Sequence, residues 1–196
     1  MRHVSSNRGV YGPRAWPGAH AWWGISASSM SLVGGLITIE DLQRGVIDHA
    51  LEMAIPQRSG VFFASPAERT DGVSANPLAL PEGAHLRLNP KLDLASLHLP
   101  RLALMIAQAA QRYGIFITDG TGASGISTFF AEDPVTSATN PYSGPGGFFE
   151  GETPAKLLAS FPWSELQLLR MSLHRLSSIR AQRRASLTSL SSARTG

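Results

Sequence analysis

Apolar positions recur along the chain in short bursts separated by Gly, Pro and Ser. The clearest helical burst is LPRLALMIAQAAQRYG, residues 99–114, where Leu102, Met105, Ile106, Ala109 and Tyr113 form one stripe. Pro100 suits its first turn and Gly114 its end. In GGLITIEDLQRG, Thr38 stands three residues before Asp41 and Gly45 closes the run, which predicts a capped helix over 39–44. TPAKLLASF predicts a third helix, capped by Thr153, with Pro154 in its first turn and Pro162 beyond its end.

Between these runs the period shortens. GVIDHALEMAIP, residues 45–56, satisfies either a helical or an alternating pattern, and its bounding Gly45 and Pro56 favour a strand. In a strand, Asp48 and His49 point to opposite faces. GVFFASPA predicts a short strand ending at Pro66, and RTDGVSANPLALPEG a loop. AHLRLNPKLDL predicts a strand with Leu86 and Leu88 on one face and His85 and Arg87 on the other. IFITD and ISTFFAED read as a β-hairpin around GTGASG, and LQLLRMSL as a last strand or helix. Two to three helices interleaved with such strands predict an α+β fold with a mainly antiparallel sheet, sandwich- or barrel-like.

Three segments follow. Residues 1–33 form an irregular Trp/Gly-rich lead-in, 34–173 a single globular domain and 174–196 a Ser/Arg-rich mobile tail. The formal charge of +3 is uneven. Five of the 17 basic residues lie in 174–196, which leaves 12 against 14 acids, a net charge of −2, for the body. A basic body surface for nucleic acid is therefore disfavoured. No apolar run is long enough to span a membrane, and the first residues lack the apolar core of a signal peptide. On that reading the chain is cytosolic, or a mature or truncated form of an exported one. Cysteine is absent, so disulfides, thiol catalysis and cysteine metal sites are excluded. The six histidines are scattered without metal-site spacing, and no cofactor or metal is implied.

Candidate chemistry is sparse. GTGASG matches G-x-G-x-x-G, but β-branched and aromatic residues follow where a nucleotide site needs a helix, so a hairpin turn is the better reading. With Asp119 paired to Ile126 in that hairpin, Glu132 falls opposite Tyr113 and Asp133 opposite Arg112. Glu132 and Asp133 flanking a cleft could serve glycoside hydrolysis, or simply end a strand in water. Asp48 and His49 could join them as catalytic groups, although a histidine in a buried strand is more often held by a backbone or carboxylate oxygen. Trp22 and Trp23, with Trp16, Tyr142 and the loop around Gly146, could bind a sugar ring or could pack on the core.

GGLITIEDLQRGVIDHAL, FFASPAERTDG, LPEGAHLRLNPKLDL, QRYGIFITDGTG, FFAEDP and NPYSGPGGFFEG occur in the order of a family that the sequence resembles across about residues 32–170. That family consists of mostly actinobacterial, commonly exported proteins of uncharacterised activity. The resemblance implies an extracellular setting and supplies no catalytic residues. Three functions stay open. The first is a non-catalytic extracellular or envelope-associated domain, with a polysaccharide or other envelope component as partner. The second is a carbohydrate-active hydrolase or lyase using His49 with nearby carboxylates. The third is a nucleic-acid accessory role through the basic tail.

Overall fold

The computed structural model describes residues 26–122, 125–136 and 140–176. Trp16, Trp22, Trp23 and nearly all of the basic tail lie outside the described residues.

All three expected helices form. Helix α1, Ile39–Arg44, has the full capping box: the Thr38 hydroxyl accepts from the Asp41 N–H, and the Asp41 carboxylate accepts from the Thr38 N–H. Gly45 ends it at φ 73°, a left-handed conformation that costs glycine little. Helix α2, Arg101–Arg112, buries Leu102, Met105, Ile106 and Ala109. Helix α3, Pro154–Ala159, starts from Thr153, whose hydroxyl accepts from the Lys156 N–H.

The strands are β1 (Leu51–Ile55), β2 (Phe62–Ala64), β3 (His85–Leu88), β4 (Ile115–Gly120), β5 (Thr128–Phe129), β6 (Leu166–Leu168) and β7 (Leu173–Arg175). Five of them make a mixed sheet in the order β5-β1-β4-β3-β6, and β2 pairs with β7 in a second, two-stranded sheet. The β1–β4 pair is parallel and every other pair of strands is antiparallel. The fold is thus α+β with mostly antiparallel pairing, and the sheet does not close into a barrel.

The expected β4–β5 hairpin does not form. Both strands pair with β1 instead, β4 at Leu51↔Ile115 and β5 at Met53↔Phe129. All five residues of β1 are buried, so the strand gains most from a place inside the sheet with cover on both faces. The inferred pairings of Glu132 with Tyr113 and Asp133 with Arg112 fall with the hairpin. The strand expected over residues 45–56 is also shorter, because residues 46–50 lead irregularly from α1 into β1.

One face of the sheet packs on α2 and α3 through Leu51, Met53, Ile106, Ile115, Ile117 and Leu157. The other carries a smaller apolar cluster of Met30, Phe63 and Ala67, with Phe116 against it. The end of the lead-in covers this second face: Ser28 is fully buried and its N–H donates to the Thr118 carbonyl. Gly35 lies against Glu52, where a Cβ would come within 2.3 Å of the Glu52 Cγ.

Candidate functional site

Asp48 and His49 do not act as a pair. Asp48 is exposed and bonded to Arg44 at 2.9 Å. The His49 ring turns to α1, with Nε2 3.1 Å from Asp41 Oδ2 and Nδ1 2.9 Å from the Ala50 carbonyl. Both ring nitrogens therefore face acceptor oxygens. Burial works to raise the Asp41 pKa, but hydrogen bonds from Thr38, His49 and Arg44 outweigh it and hold the carboxyl below its usual range.

Glu132 and Asp133 also serve the backbone. Glu132 Oε2 accepts from the Ile39 N–H at 2.8 Å, at the start of α1, and Asp133 Oδ1 accepts from the Val135 N–H at 2.9 Å. Both nevertheless line a groove of about 840 Å³ walled by Ile106, Phe129, Tyr142, Phe149, Leu158 and Trp163, among others. Helices α2 and α3 supply one wall and the chain around β5 the other. Tyr142 is 8% exposed, and its hydroxyl donates to the Glu132 carbonyl at 2.6 Å. Burial, then the charges of Glu132 and Asp133, raise the Tyr142 pKa. Gly146 lies elsewhere, at φ 76° in a smaller depression with Arg101 and Glu150.

The structure thus brings Glu132, Asp133 and Tyr142 together, while Asp48 and His49 do not line the groove. Trp22 and Trp23 lie outside the described residues. Sequence reasoning missed Phe129, Leu158 and Trp163. Trp163 is a one-third-exposed indole whose N–H donates to the Leu158 carbonyl, and its ring packs against Phe129 at 6.0 Å and Phe161 at 4.5 Å. A tryptophan just after Pro162 was the available signal.

No family model, curated protein or solved structure matches this chain. Among the described residues, no helix is long and apolar enough to cross a membrane.

A second polar assembly lies beneath the other face of the sheet. Oxygens of Asp71, Glu82 and Asp119 fall within 4.8 Å of one another, a spacing that could hold a metal ion. A cation is already there. Arg58 Nη2 is 2.7 Å from Asp71 and its Nε 3.4 Å from Glu82, so the guanidinium supplies the neutralising charge. The Arg58 head also fills the space beside Gly120, where a Cβ would sit 1.9 Å from Cζ. Glu82 is fully buried, and burial raises its pKa above the usual carboxylate value. Asp71 is held low, because its bond to Arg58 outweighs its burial. On the same side, Glu52 is 3% exposed and its Oε2 has no hydrogen-bond partner. Burial pushes the Glu52 pKa up to about 8; the Thr118 hydroxyl opposes this, and the charge of Asp119 adds a lesser rise.

Proposed function

We propose that this chain is a non-catalytic binding domain whose ligand lies in the groove between α2, α3 and the chain around β5. The observation that carries the reading is the groove itself, an apolar trough bordered by the carboxylates of Glu132 and Asp133. Its volume, about 840 Å³, falls in the range of small-molecule sites. Of the polar groups named for the alternative, a glycan-cleaving enzyme, Asp48 and His49 do not line the groove, and Glu132 and Asp133 in its lining each accept from a backbone N–H. The ring nitrogens of His49 sit against Asp41 and the Ala50 carbonyl. An exported or envelope-associated setting is part of the proposal through the motif resemblance. A sugar is the ligand first suggested by the aromatic residues. Trp163 already packs against Phe129 and Phe161, so the walls favour a ligand with an apolar body over a ring that needs an open indole face.

Thermal-shift screening of the wild type beside Ala155→Trp, which fills the groove from α3, tests the reading. A ligand at a hundredfold excess over its Kd adds about 2.7 kcal/mol, or roughly 5–10 °C for a chain of this size. The expected result is a shift in the wild type that the variant loses. A ligand that shifts both equally binds elsewhere and defeats the assignment. Turnover abolished by His49→Ala would replace it with the enzymatic reading.

A further inference from the structure

We infer that the groove selects an amphiphile with a cationic head, an alkyl- or arylammonium, over its neutral and anionic counterparts; this rests on the groove being the binding site. Among the described lining residues there are two carboxylates, Glu132 and Asp133, and no lysine, arginine or histidine. The lining thus carries formal negative charge on otherwise apolar walls, and charge complementarity assigns the opposite sign to the ligand.

Both carboxylates are fixed in place. Glu132 is tied to the first turn of α1 through the Ile39 N–H, and Asp133 to the Val135 N–H. The Tyr142 hydroxyl donates to the Glu132 carbonyl at 2.6 Å, and all three residues line the groove, so the acids adjoin the buried ring. That ring packs on Phe149 at 5.2 Å, so aromatic surface adjoins the acids. An ammonium head there meets carboxylates and electron-rich ring surface together, and its chain or ring can lie along Ile106, Leu158 and Phe129. An anionic head meets repulsion at the same place. A neutral alcohol keeps the apolar contacts and loses the attraction.

The experiment compares decyltrimethylammonium, decanol and decanoate, each below its aggregation limit, by amide chemical-shift titration of the wild-type chain. The expected result is saturable shifts at Phe129, Glu132, Asp133 and Leu158, with the ammonium binding about tenfold tighter than decanol and decanoate weakest, a preference that fades as salt rises. Glu132→Gln keeps an acceptor for the Ile39 N–H, and Asp133→Asn keeps one for Val135. Each should cut the ammonium preference severalfold without altering decanol binding, which also verifies that the variants are folded. Equal affinity for ammonium and decanol overturns the head-group inference and leaves the groove as a binding site. Absence of groove shifts with all three defeats the inference together with the reading beneath it.

Discussion

Replacing Glu52 by glutamine should change how stability depends on pH. The Glu52 carboxyl has an ordinary value of 4.5 and is pushed up to about 8 in the folded chain by burial, with the Asp119 charge adding to it. A carboxyl whose folded pKa is raised gives stability that is complete below the unfolded value and is lost as pH climbs through the folded one. The separation corresponds to about 5 kcal/mol in all, at roughly 1.4 kcal/mol per pH unit, of which about 3 kcal/mol falls between pH 6 and pH 9. Glutamine has the same shape and no charge to expose, so Glu52→Gln should lose that part of the slope. Equilibrium urea unfolding at pH 6, 7, 8 and 9 measures both proteins. Their curves should diverge by about 3 kcal/mol toward pH 9, with the variant the more stable there, or by roughly 6–12 °C in Tm. Glu82 is raised in the same direction, and it remains in both proteins, so the difference isolates residue 52. Stabilities that run parallel from pH 6 to pH 9 would refute the placement of a neutral acid beneath Gly35.

Other variants probe other parts of the fold. Thr38→Ala removes the acceptor for the Asp41 N–H at the start of α1 and should cost about 1 kcal/mol in denaturant unfolding. His49→Ala deprives the buried Asp41 carboxylate of one partner and should cost about 1 kcal/mol, while ligand-induced chemical shifts in the groove persist. Because the Asp41 pKa is depressed, its contribution is present above its unfolded value and is lost as pH falls through the lower folded one. An acid titration of His49→Ala should therefore show a shallower loss than the wild type. Gly35→Ala forces a methyl group onto Glu52 and should cost roughly 1–3 kcal/mol, seen as a lower urea midpoint.

Helices were legible because their determinants are local. The Thr38–Asp41 box, Gly45, the Leu102–Ala109 stripe and the Thr153-Pro154 start each act within a turn or two, and all recur in the structure. The alternation in HLRL was legible for the same reason. Strand pairing was not, because GTGASG favours a hairpin locally whereas the burial of β1 is decided by the whole sheet. The site was half legible. Glu132 and Tyr142 stood out by type, yet only the fold could set them beside Phe129 and Trp163. Glu52 offered a signal that went unread, since it is the sole charged residue in LEMAI, a strand buried throughout. Arg58, Asp71 and Glu82 meet across loops whose sequence carries no period.

The place of β1 in the sheet also governs the order in which the chain can be built. Leu51 waits for Ile115 across more than sixty intervening residues, and Phe63 for His174 across more than a hundred. Contacts of such separation are slow to form, because closing the loop precedes any reward from pairing. Neither sheet is complete until residues 166–175 have been synthesised, since β6 closes one and β7 the other. During synthesis the wholly buried strand therefore stays without its parallel neighbour while the intervening segment is made, a window in which a holding chaperone has the most to cover.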